Sequence, residues 1–158
     1  MRTYGEFKVT TCPMMAEVEL KYKSKTKPAD RIKVNRPVDS YAYLKMIWDE
    51  DRIDHIEEFV VLMLNRAMHI TGWAKISQGG TAGTVCDPKI IFQLALIHNA
   101  SAIILSHNHP SGNSTPSETD IRSTRKMVDG GKLLDIDVCD HVILSSGGYY
   151  SFADEGLI

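Results

Sequence analysis

Two histidines one residue apart, His107 and His109, followed by Ser117 and Asp120, are the part of this 158-residue chain best suited to chemistry. On an extended backbone alternate side chains project to the same side, so the two imidazoles can be aimed at one centre. That is a metal-ligand spacing. His-x-His alone is a weak signal, since such pairs also serve as hydrogen-bonded loop residues. The residues after it strengthen the signal. Thr115-Pro116-Ser117-Glu118 predicts a helix start, with Thr115 at the N-cap, Pro116 at N1 and Glu118 at N3 of a capping box. Ser117 and Asp120 then share one face of that helix. Two imidazole nitrogens and one carboxylate oxygen suffice for a catalytic Zn2+ whose fourth position stays open to water. A carboxylate at Asp120 would also favour the positive end of the helix.

The elements that must position these residues can be read outward from them. Ala102 to Leu105 (AIIL) predicts a short buried strand that stops at Ser106, immediately before the histidines. Phe59 to Leu64 (FVVLML) is a continuous apolar run, suited to an interior strand buried on both faces. Asn65 to Met68 predicts a turn and His69 to Ser77 the second strand of a hairpin. Asp87-Pro88 supplies an N-cap and first-turn proline for a helix over Lys89 to Asn99, with Ile91, Leu94, Ala95 and His98 at helical spacing. Upstream, Lys25 to Pro37 reads as a polar connector, followed by a helix from about Ser40 to Trp48 and an acidic loop, Asp49 to Glu58. Glu57 and Glu58 stand at the mouth of the FVVLML strand. Neighbours on a strand face opposite sides, so only one of them can reach a centre built by the histidines.

Composition excludes several function classes. With 43% hydrophobic and 24% charged residues the chain is an ordinary globular one, large enough for a core without disulfides. Its three cysteines, Cys12, Cys86 and Cys139, are too few and scattered for a disulfide framework or a CxxC zinc site, so a reducing compartment, the cytoplasm, is expected. No apolar stretch suits a signal peptide or a membrane span. Residues 21–36 carry a net charge of +6 within a chain whose total is −2. That basic segment is a candidate for weak DNA contact, but Val18, Leu20 and Tyr22 alternate with charged residues from Glu17 to Lys23, as in an edge strand protected by lysines. No CxxC accompanies the histidines, which excludes a nucleotide deaminase. His107-Asn108-His109 is too contiguous for an HNH nuclease. Gly79, Gly80 and Gly83 lack the Lys-Ser/Thr of a phosphate loop and are expected to line a substrate groove. Asp140-His141 reads as a buried hydrogen-bonding pair, and His55, His69 and His98 as structural.

The spacing His107-x-His109, seven residues, Ser117, two residues, Asp120 resembles the signature of the JAMM (JAB/MPN) metalloproteases. SHNHPSGNSTPSETD, with DHVIL and YYSFADEGL further on, is similar to the RadC-type branch over residues 38 to 158. The preceding residues depart from full-length RadC-type proteins, which carry a helix-hairpin-helix-like region there. The resemblance implies an α/β fold, a mixed, mostly antiparallel sheet flanked by helices in a deaminase-like sandwich, with residues 1–36 as a basic extension carrying one strand and 37–158 as the metal domain. It implies Zn2+ held by His107, His109 and Asp120, with Glu57, two residues before the first aromatic of the interior strand, as general base and Ser117 steadying the oxyanion. The implied reaction is hydrolysis of a peptide or isopeptide bond in a peptide or protein substrate. A different class, a non-catalytic protein- or DNA-binding module of DNA repair or mobile-element machinery, is the alternative. An open three-ligand site argues against it, because structural zinc normally has four protein ligands.

Overall fold

The computed structural model describes residues 27–80 and 86–158. The expected strand at 17–23, most of the lysines of the basic segment and Gly83 of the glycine loop lie outside the described residues. Where the chain becomes described, a 3-10 turn (Pro28–Asp30) leads to α1 (Pro37–Ile47). Pro37 is therefore the first residue of the helix and not the end of a connector. Its fixed φ suits the first turn, and Asp39 Oδ2 accepts from the amides of Asn35 and Arg36 at 2.9 Å each. Residues 32–34 lie against the start of the second strand, with Val34 N donating to Met68 O and Ile70 N to Ile32 O, both at 2.8 Å.

Among the described residues there are five strands, β1 (Glu58–Leu64), β2 (Ile70–Gln78), β3 (Ala102–Asn108), β4 (Asp137–Ser145) and β5 (Gly148–Ser151), with α2 (Pro88–Ile97) before β3 and α3 (Glu118–Leu133) after it. They form one sheet in the order β2-β1-β3-β4-β5. Only β3 and β4 run parallel, joined by the α3 crossover, so the sheet is mixed and mostly antiparallel as expected. The α2 helix starts on the Asp87 cap, whose carboxylate accepts from Lys89 N at 2.9 Å. It ends two residues earlier than expected, because Asn99 takes a left-handed conformation with φ of 54°. No described helix is long and apolar enough to cross a membrane.

The sheet has a core on each face, which explains the unbroken apolar runs Phe59 to Leu64 in β1 and Ala102 to Leu105 in β3. Val60, Leu62, Leu64, Ala102, Ile104, Val142 and Leu144 pack with Leu44 of α1 and Trp48 at its C-cap. Phe59, Val61, Met63, Ile103 and Leu105 pack on the opposite face with Ile91, Phe92 and Ala95 of α2 and Met127 of α3. The end of α3 is pressed onto the return to β4 at Gly131, where a Cβ would overlap the Ile136 carbonyl oxygen. Only glycine permits that approach.

Candidate metal centre

β3 does not stop at Ser106. It continues through His107 to Asn108, because both polar side chains find buried partners. Asn108 Oδ1 accepts from Glu58 N at 2.8 Å, and its Nδ2 donates to the carbonyls of Ile53 and Ile56 at 2.7 and 2.9 Å. The acidic loop is thereby tied to the end of β3. His107, two residues beyond Leu105, falls on the α2/α3 face, opposite Phe59 across the β1–β3 pair. The two rings lie parallel to within 3°, with centroids 5.9 Å apart, and His107 is only 1% exposed.

His109 sits one residue past the strand, its backbone N–H donating to Leu144 O at 2.8 Å. The Pro110-Ser111-Gly112 turn, with φ of 79° at Gly112, folds the chain back so that Asn113 O lies 2.7 Å from His109 Nδ1. The α3 helix begins later than the sequence predicts. Ser117, not Thr115, is the N-cap, and Asp120 takes the N3 place assigned to Glu118. Thr115-x-x-Glu118 and Ser117-x-x-Asp120 both fit a capping box; the second forms because Asp120 Oδ2 accepts from Ser117 N at 2.7 Å and Ser117 Oγ at 2.6 Å.

These three elements bring His107, His109 and Asp120 together. The two Nε2 atoms are 2.9 Å apart, His107 Nε2 is 3.4 Å from Asp120 Oδ1, and His109 Nε2 is 3.6 Å from Asp120 Oδ2. Ligands about 2.0–2.2 Å from a tetrahedral zinc stand roughly 3.3 Å from one another, so the spacing of the three donor atoms fits that ion. Among the described residues this is the one group of three or more His, Cys, Asp or Glu side chains able to hold a metal ion. Residues 34–157 match the family described as the RadC-like JAB domain. The chain belongs to that family. The UPF0758 protein of Flavobacterium johnsoniae is 36% identical over 154 residues, 97% of this chain and 65% of the relative. That of Methanosarcina barkeri is 35% identical over 159 residues, 100% of this chain and 68% of the relative. A Desulfitobacterium hafniense UPF0758 protein is 40% identical over 131 residues, 83% of this chain and 56% of the relative. The chain thus spans about two thirds or less of these relatives.

In this RadC-like JAB domain the electrostatics suit a cation. Burial alone would raise the Asp120 carboxyl, but bonds from His109 and Ser117 and the charge of His107 outweigh it and hold the group well below the usual carboxylate range. His109 is raised, first by its hydrogen bond to Asp120, against its partial burial. His107 is pushed down to about 4 by burial, opposed by Asp120 and reinforced by His109. A small cleft lined by His107 and Asp120 is also lined by Glu57, Thr119, Ser123 and Cys86. Burial lifts the Cys86 thiol to about 12, so it stays protonated.

The two glutamates separate as strand parity demands. Glu58 is 1% exposed, and its Oε1 is engaged by Lys75 Nζ at 2.8 Å and Arg52 Nη2 at 3.1 Å. Glu57 lines the cleft with His107 and Asp120, and its charge acts on His109. Its backbone extends the hairpin, Gly79 N donating to Glu57 O at 2.8 Å. His98 meets Thr71 Oγ1 at 3.0 Å, away from the centre. Asp140-His141 is buried and bonded as expected, His141 N donating to Asp140 Oδ1 at 2.7 Å. The sequence does not reveal that the His141 ring touches the centre: its Nε2 is 2.8 Å from His107 Nδ1, and its Nδ1 is 2.6 Å from Thr124 Oγ1. The available signal is a Thr four residues after Asp120, one helical turn along the same face.

Proposed function

We propose that this domain is a zinc-dependent hydrolase of peptide or isopeptide bonds. The observation that carries the reading is the convergence of three donor atoms within 2.9–3.6 Å of one another beside a cleft that also holds Glu57. His107, His109 and Asp120 would hold the ion, which when bound supplies a Lewis acid and a water with pKa lowered to about 7. Glu57 accepts a proton at its carboxylate and returns it to the leaving amine. Ser117 is exposed, and its hydroxyl donates to Asp120 Oδ2. Turned from Asp120 toward a substrate, it becomes a single donor for the developing oxyanion, while Ser117 N keeps its own bond to the carboxylate.

The test is metal analysis of the purified protein, followed by hydrolysis assays of the zinc-loaded form on peptide and isopeptide-linked substrates. Zinc at one per chain with chelator-sensitive cleavage is expected. Full zinc occupancy with no cleavage of either bond type would overturn the hydrolase reading in favour of a non-catalytic protein- or DNA-binding module.

A further inference from the structure

The rings and hydroxyl behind His107 form a line of hydrogen bonds whose proton positions are fixed by chemistry, one after another. Thr124 Oγ1 lies 2.6 Å from the backbone carbonyl oxygen of Asp120 and 2.6 Å from His141 Nδ1. A hydroxyl has one hydrogen, and a carbonyl can only accept. Pointing that hydrogen at His141 would leave two oxygens 2.6 Å apart with no proton between them, so Thr124 donates to Asp120 O and accepts from His141. The hydrogen of a neutral His141 ring is therefore on Nδ1, and its Nε2 is an acceptor. The ring is 1% exposed and lies between Phe59 and Phe152, at centroid distances of 5.6 and 4.9 Å, which disfavours a second proton. His107 Nδ1, 2.8 Å from His141 Nε2, must then be the donor.

We infer that His141 and Thr124 are positioning residues that lock His107 in the Nδ1–H tautomer, leaving its Nε2 lone pair bare toward His109 and Asp120. The inference rests on the metal reading of the site, but not on hydrolysis. The device is self-referential: Asp120 offers its carboxylate to the centre and its backbone carbonyl to the Thr124 end of the line, so one turn of α3 sets both the third ligand and the tautomer of the first. It also depends on a one-residue register shift in β4. Ile103 pairs with Val138 but Ile104 with Asp140, and the skipped Cys139 turns His141, rather than Asp140, to the His107 face. Partners behind metal-bound histidines typically change affinity by roughly 10–100-fold when removed.

The test begins with the metal-free wild-type protein, in which long-range proton–nitrogen NMR correlations report the tautomer of each neutral imidazole. His107 and His141 are both expected as Nδ1–H, and finding His107 as Nε2–H overturns the inference. Thr124→Val keeps the shape and removes the hydroxyl; zinc affinity is expected to fall roughly 10–100-fold and the His107 resonances to show mixed tautomers. Thr124→Ser should restore both. Unchanged tautomer and affinity in Thr124→Val, or no recovery in a folded Thr124→Ser, would contradict the assignment. Wild-type protein that cleaves nothing would leave these readouts intact, whereas wild type that binds no zinc defeats the proposed function while the NMR still scores the tautomer.

Discussion

Ser117 holds Asp120 twice, through its amide at 2.7 Å and its hydroxyl at 2.6 Å, both on Oδ2. Ser117 Oγ in turn accepts from Asp120 N at 3.2 Å, so the cap of α3 and the orientation of a candidate ligand are one structure. Ser117→Ala removes the hydroxyl and leaves the amide. It should cost about 1 kcal/mol of stability as a lost cap and leave zinc stoichiometry unchanged. Hydrolysis should slow by roughly 100- to 1000-fold, the scale of one oxyanion donor. Urea unfolding, metal analysis and turnover check the three parts. Loss of zinc from this variant would mean that the amide alone cannot hold the carboxylate.

Stability of the metal-free protein should fall with acid. Burial lowers His107 to about 4, and burial together with His107 puts His141 well below its ordinary 6.5. The unfolded chain titrates both near 6.5, so below that value it binds more protons than the native state and stability drops by about 1.4 kcal/mol per pH unit for each histidine. His109 acts in the opposite sense. Its raised value stabilises the native state below 6.5, and that contribution fades as pH rises through the folded value. Urea midpoints of chelator-treated protein should peak close to neutral pH and decline toward pH 5; a flat profile would contradict the neutral, buried pair.

His109→Ala should abolish tight zinc binding and leave the fold, whose β1 and β3 core does not involve that ring. In the wild type a proton competes for His109, and because its pKa is raised the competition begins above 6.5. Zinc affinity should therefore fall by roughly tenfold per pH unit as pH drops below that raised value. Competition titration against a chromogenic chelator measures both. Stoichiometric zinc in the mutant, or pH-independent affinity, counts against histidine ligation.

Local features of the site are legible in the sequence and its long-range partners are not. His107-x-His109 and Ser117-x-x-Asp120 are spaced by the geometry of one strand end and one helix turn, which need no knowledge of the rest of the chain. The true strand end is hidden because Ser106, His107 and Asn108 look like loop residues; what keeps them in β3 are partners far away, Val142 O for Ser106, His141 for His107, and Ile53, Ile56 and Glu58 for Asn108. The N-cap lies two residues beyond its expected place, since two capping patterns overlap and only tertiary contact to the histidines distinguishes them. Strand parity predicts that Glu57 and Glu58 face opposite sides; Glu58 is taken up by Lys75 and Arg52, and Glu57 lines the cleft. His141 is legible only as a buried residue, because its direction depends on the register shift at Cys139.

The most direct measurement for the hydrolase account is Glu57→Gln, which preserves shape and removes the proton acceptor. Zinc should remain at full occupancy, as in the wild type, and hydrolysis should fall by roughly 100-fold or more. Zinc loss would make Glu57 a ligand, and undiminished turnover with full zinc would contradict its role as the base.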